Sequence, residues 1–158
     1  MKTSNEVHSD RKLGENVDRT QQNKDLVMRA VEEIWNGGNY KNLKEFVADD
    51  FVAYASTPEE EIHGPEGARE FFTQLRNAFP DIHFTVKDQF ADRDRVITHW
   101  TATGTHRGEF KGIAPTGRKF SITSIDIDRI VNGKVAECWS HMDELGLLRQ
   151  LGVFPEHI

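Results

Sequence analysis

Apolar positions along this chain follow two periods. From Asn23 onward, Leu26, Val27, Ala30, Val31, Ile34 and Trp35 recur as pairs at helical spacing and make one stripe. Asn23 is placed to cap that helix and Gly37-Gly38 to end it. A short second helix carries Leu43, Phe46 and Val47 on one side, and Phe51 to Tyr54 reads as a strand. Gly64-Pro65-Glu66 opens a third helix, because proline suits a first turn. Ala68, Phe71, Phe72, Leu75 and Phe79 form its stripe, and Pro80 stops it.

The period then drops to two. Ile82, Phe84 and Val86 alternate with His83, Thr85 and Lys87, which predicts a strand. Ala91 to Asp94 is a turn, and Val96 to Thr103 and Phe120 to Ile130 are further strands. Asn132-Gly133 is a strong hairpin signal, since both turn positions tolerate positive φ. Val135 to Met142 returns as the partner strand. Asp143 to Leu151 is a terminal helix with Leu145, Leu148 and Leu151. Helices first and hairpin-linked strands afterwards make an α+β pattern, not a parallel α/β alternation. The expected architecture is a cone-shaped α+β barrel: three N-terminal helices on a strongly curved antiparallel sheet, whose interior can hold a ligand.

Residues 1–20 are polar and lack an apolar period, which predicts a flexible N-terminal arm ahead of one domain over 21–158. A chain of 158 residues is long enough to bury a core without staples. Its single cysteine, Cys138, makes no internal disulfide and fits a reducing, cytoplasmic setting. The net charge of -6 argues against nucleic acid as a partner. No apolar run approaches the roughly 20 residues of a membrane span, and the N-terminus lacks the apolar stretch of a secretory signal.

Three tryptophans and ten phenylalanines are a surplus that must fill a core or line a pocket. On the last strand Glu137, Trp139, His141 and Asp143 share a face if no bulge intervenes, and Cys138, Ser140 and Met142 take the other. Asp143 beside an indole in a dry site would make a proton acceptor near neutral pH. It also stands where a helix cap is expected. Asp126 and Asp128 share a face of the preceding strand. If Ile125 and Ile127 face the helices, both carboxylates turn away, as a solvated ion-pairing face would. His106 lies in a glycine-punctuated segment that wraps the sheet mouth, where it is either a proton shuttle or a structural histidine. The segment lacks the lysine ending of a phosphate loop. The seven histidines show no metal-ligand spacing, and no Gly-x-Ser-x-Gly elbow is present.

Several ordered motifs carry a resemblance. They are Trp35-Asn36-Gly37-Gly38-Asn39, Phe79-Pro80-Asp81, His99 to Phe110 with Pro115-Thr116-Gly117, then Asp126, Arg129, Gly133-Lys134, Glu137, Trp139, Asp143 and Gln150-Leu151-Gly152. From about Asn23 to Gly152 the chain resembles the SnoaL-like polyketide cyclases, or ester cyclases, of the nuclear transport factor two-like superfamily. The resemblance implies a homodimer that needs no metal or organic cofactor. It implies an intramolecular aldol condensation on an apolar, carbonyl-bearing small molecule. It assigns the general acid/base role to Asp143, with His106 and Asp126 on segments of the same cavity. Trp35, Tyr54, Phe72, Trp100, Phe110, Trp139 and His141 are the expected ligand-facing residues. The alternatives are a non-catalytic binding module of the same fold, and an epoxide hydrolase built on Asp126, Arg129 and Asp143.

Overall fold

The computed structural model describes residues 4–55 and 60–153. Residues 1–3 of the expected arm, and 56–59 and 154–158 of the expected domain, lie outside that description. Helix α1 (Ser4–Ala30) continues into a π-helical turn, Val31–Asn36. A 3-10 turn (Tyr40–Asn42) leads into α2 (Leu43–Phe46), β1 (Val47–Tyr54) and β2 (Glu61–His63). Helix α3 (Gly64–Ala78) is followed by β3 (His83–Asp92), β4 (Arg95–Thr105), β5 (Lys119–Val131), β6 (Lys134–Met142) and α4 (Glu144–Leu151).

The six strands form one curved, unclosed sheet in the order β2-β1-β6-β5-β4-β3. Of the five neighbouring pairs, β1 and β6 run parallel, where an antiparallel sheet was expected, and the other four are antiparallel. The α+β class and the curved sheet under the helices are as the residue pattern predicts.

Several boundaries differ for identifiable reasons. The first helix begins at Ser4, not Asn23. Asn23 is therefore inside α1, where it is buried and its Nδ2 donates to the Arg93 carbonyl at 3.2 Å. It anchors the helix to the β3–β4 turn instead of capping it. Val47 opens β1 rather than ending a helix. On α4 the buried positions are Leu147 and Leu151, and Leu145 is exposed. The Asn132-Gly133 hairpin forms as expected, with both residues at positive φ, 50° and 72°.

Two apolar clusters join helices to sheet. One gathers Val27, Ile34 and Phe46 against Val96, Ile130 and Val135. The other gathers Phe79, Phe84, Trp100, Phe120, Leu147 and Leu151. Trp35 packs against both, and the space between them is the cavity.

Candidate active site

The cavity has a volume of about 240 Å³ and lies between α1, α3 and the inner face of the sheet. That is just under the roughly 300–1,000 Å³ usual for small-molecule sites. It suits a small ligand, or one that leaves an end at the rim.

Trp35 enters from the π-helical turn, where Gly37 N–H reaches the Glu32 carbonyl at 2.9 Å. Such turns widen a helix locally and commonly mark functional positions. Two residues hold it there. Asn36 bonds both the N–H and the carbonyl of Phe84 through its side-chain amide, at 2.8 and 2.9 Å. Arg76 donates to the carbonyls of Trp35, Asn36 and Ile82. The Trp35 ring then meets Phe84 and Trp100 edge-on, with centroids 5.2 and 5.7 Å apart. Phe72 and Phe110 also border the cavity; Tyr54, expected to face the ligand, meets it only at the end of β1 and stacks on Trp139.

The polar centre of this wall is Asp126, which is only 3% exposed. Trp100 Nε1 donates to its Oδ2 at 2.8 Å, while the Ser140 and Ser124 hydroxyls reach Oδ1 at 2.6 and 3.2 Å. Burial pushes its pKa up, and these three donors oppose the rise. Asp128 stands two residues along on the same inner face and is 5% exposed. Burial, then the neighbouring Asp126 charge, push its pKa up to about 7. The Cys138 thiol stands beside it as its register partner on β6, and burial raises that thiol well above its ordinary range. Such a thiol is a neutral donor, not a nucleophile.

The inward turn of Asp126 and Asp128 reverses the facing expected for β5. Ile125 is the exposed residue, and Ser124, Asp126, Asp128 and Ile130 are buried. β6 reverses as well. The β5–β6 register slips by one residue between Arg129↔Glu137 and Ile130↔Val135. A slip of one residue moves every later side chain to the other face. Cys138, Ser140 and Met142 therefore line the cavity, and Trp139 lies on the outer face. There Trp139 stacks on Tyr54 at 5.5 Å and lies under the Arg95 guanidinium at 5.2 Å.

Asp143 does not reach the cavity. It is exposed at the N-terminus of α4, where its Oδ1 accepts from the Gly146 N–H at 2.8 Å. The expected dry setting for it is absent, because the strand ends one residue before it and the helix takes its carboxylate as a cap. His141 is also exposed and does not line the cavity. His106 is fully buried but sits behind Phe79, 5.4 Å away between ring centroids. The Thr116 N–H meets its Nδ1 at 3.3 Å, and among the described residues its Nε2 has no partner. Its backbone helps hold the loop, with His106 N–H on the Arg118 carbonyl and Gly117 N–H on its own carbonyl. Arg129 turns outward and pairs with Glu137, so Asp126, Arg129 and Asp143 do not form one constellation.

At the rim, Lys111 bonds Glu144 at 2.7 Å and Glu60 at 3.0 Å, tying three segments together. Phe110 to Ile113 makes the tight turn that presents it, with Lys111 and Gly112 at φ 48° and 78°. Behind that turn Gly108 lies so close to α3 that a Cβ would meet the Asn77 carbonyl at 2.2 Å. Asp128, Cys138, Ser140 and Lys111 are cavity residues that the sequence pattern did not single out as such. The i, i+2 spacing of Asp126 and Asp128 was the available signal, but it does not say which face is inward.

Residues 25–151 match the family described as SnoaL-like polyketide cyclase. The chain belongs to that family. An aklanonic acid methyl ester cyclase of Streptomyces sp. (strain C5) is 33% identical over 132 residues, covering 81% of this chain and 80% of that protein. A nogalonic acid methyl ester cyclase of Streptomyces nogalater is 30% identical, covering 75% and 89%. Among solved structures, TsrD from Streptomyces laurentii superposes with a TM-score of 0.75 at 29% identity, covering 85% and 97%. AclR of Streptomyces galilaeus, a candidate hydroxylase, reaches 0.76 at 31%, covering 88% and 86%. The SnoaL-like family thus accounts for both helices and sheet. Among the described residues no cluster of His, Cys, Asp and Glu is arranged to hold a metal, and no helix is long and apolar enough to cross a membrane.

Proposed function

We propose that this SnoaL-like chain is an ester cyclase that closes a ring in an apolar, carbonyl-bearing molecule by a cofactor-free intramolecular aldol reaction or a related proton transfer. Asp126 carries the acid/base role in place of Asp143. The observation that carries this reading is a buried, hydrogen-bonded carboxylate on the wall of an otherwise apolar cavity. A carbon flanked by carbonyls is acidic enough for such a group to deprotonate. The aromatic wall of Trp35, Phe72 and Trp100 holds the chain folded, and orientation supplies much of the acceleration in a unimolecular closure.

Aklanonic acid methyl ester, the substrate named for the Streptomyces relatives, is the test compound. Asp126→Asn is expected to lower turnover by about 10²–10⁴-fold, the usual contribution of a positioned acid/base. Ligand binding, read as quenching of Trp35 and Trp100 fluorescence, is expected to persist. Unchanged turnover in that variant overturns the assignment. Binding without any turnover by the native protein would favour a ligand-binding module.

The assembly belongs to the same proposal. Phe90, Ile97, Ile127, Trp139 and Tyr54 are register partners in turn across β3, β4, β5, β6 and β1. They make an apolar row on the outer face of the sheet, with Phe90 61% and Ile97 41% exposed. A patch of that extent supports a second copy of the chain as its cover. The one thiol, free and half-buried beside Asp128, fits a cytoplasmic location.

A further inference from the structure

We propose that Asp126 and Asp128 divide the proton chemistry of the cavity, Asp126 acting as the base and Asp128, kept neutral beside the Cys138 thiol, as the acid that protonates the new alkoxide. This rests on the cyclase reading and adds the second proton carrier that reading lacks.

The two carboxyls share a strand face but not an environment. Asp126 has three donors, one indole N–H and two hydroxyls, spread over both oxygens. Those donors favour an anion. Asp128 has beside it the weak S–H of Cys138, its register partner on β6. The other groups packed around Asp128 supply no charge. Its β4 partner Val96 is apolar and the neighbouring Thr98 is uncharged. The cluster around Val96 contributes Ala30, Ile34, Phe46 and Phe51, which do not titrate. Among the described residues, Asp126 is therefore the one charged group that faces Asp128. Two adjacent carboxyls in an apolar cavity do not both ionise readily, so one proton is retained. It resides on the carboxyl with fewer donors. Paired carboxyls set apart by their surroundings are the recurring basis of acid and base assignments.

The step balances without a redox partner. An Asp126 oxygen takes the proton from the carbon between two carbonyls. The C–H electron pair becomes the enolate and forms the C–C bond to the acceptor carbonyl carbon. The carbonyl π pair moves to oxygen, and the resulting alkoxide takes the Asp128 proton. Asp126 then holds a proton and Asp128 is the anion. Passage of one proton between the two restores the starting state.

Infrared spectroscopy of the native protein across pH 5 to 9 locates the proton without needing turnover. The carbonyl band of a buried carboxylic acid is expected to fade as pH rises through about 7. Asp128→Asn should abolish that band. Asp126→Asn should keep it, with the midpoint at lower pH because the neighbouring charge is gone. Cys138→Ala should move the midpoint to higher pH, since a donor to the anion is removed. A band that survives Asp128→Asn, or one that Asp126→Asn removes at every pH, overturns the proposal. With aklanonic acid methyl ester, native turnover should fall on the alkaline side as Asp128 loses its proton. Asp128→Asn should turn over at least 10-fold more slowly, without that alkaline fall. Full activity with the alkaline fall intact refutes the role of Asp128 even where Asp126→Asn is inactive. Full activity in Asp126→Asn refutes Asp126 as the base, and absence of turnover by the native protein refutes the cyclase reading itself.

Discussion

Trp100 on β4 donates its indole N–H to Asp126 on β5 at 2.8 Å, so one residue is both an apolar wall and the support of the buried carboxylate. Trp100→Phe keeps most of the ring and removes the donor. Loss of a hydrogen bond to the charged form raises the Asp126 pKa. The acid limb of the turnover profile is expected to move to higher pH. Stability is expected to drop by about 1–3 kcal/mol, the cost of leaving a buried acceptor short of a donor. A pH series of turnover and urea unfolding of the same variant check both. An unmoved acid limb would separate Trp100 from the chemistry.

Asp128 makes stability depend on pH in the unusual direction for a carboxylate. Its folded pKa, about 7, lies above the ordinary 3.8. The folded state thus binds more protons than the unfolded chain between those values, and stability falls as pH rises through that window. The effect is absent below about pH 4 and complete above about pH 7. Asp128→Asn removes the ionisable group. It is expected to be more stable than the native chain at pH 8 by up to about 4 kcal/mol, and to lose that advantage near pH 4. Urea unfolding at the two pH values is the check, and a difference of the same size at both counts against it.

Asp143 is expected to behave as a cap. Asp143→Ala should cost about 0.5–2 kcal/mol, as loss of an N-cap acceptor does. Turnover under conditions where the variant is folded should be unchanged. A loss of turnover comparable to that of Asp126→Asn would return Asp143 to the reaction. The closeness of the cap is visible at Gly146, where a Cβ would lie 2.0 Å from the Asp143 carboxylate. Gly146→Ala should therefore destabilise α4 as well.

The outer row is open to a direct test. Ile97→Glu places a charge among Phe90, Ile127 and Trp139. Light scattering during gel filtration is expected to show a dimer for the native chain and a monomer for the variant. Quenching of Trp35 and Trp100 by ligand should be retained. A native chain that elutes as a monomer ends the dimer proposal.

The extents of α3, β4, β5 and the β5–β6 hairpin follow from local spacing, because side-chain periodicity and turn residues act over a few neighbours. Gly64-Pro65 and Asn132-Gly133 state their own backbone conformations. The α+β class was legible for the same reason; Trp35 and Asp126 were tied to a cavity only by the family resemblance, not by period. What the sequence could not decide was facing. Period two divides β5 into an isoleucine set and an aspartate set without saying which is inside. The apolar set would ordinarily be buried, yet Ile125 is exposed and Asp126 and Asp128 are enclosed. Cross-strand partners made that choice: Trp100, Ser140 and Cys138 offer donors only on the inner face. On β6 the one-residue slip in register sends Trp139 outward and Cys138 and Ser140 inward. Asp143 was read as reactive from its place after that strand, but the first turn of α4 claims its carboxylate. Local sequence determined the elements, because their causes are local. The active-site assignment waited on register and on pairing between distant strands, which exist only once the sheet has folded.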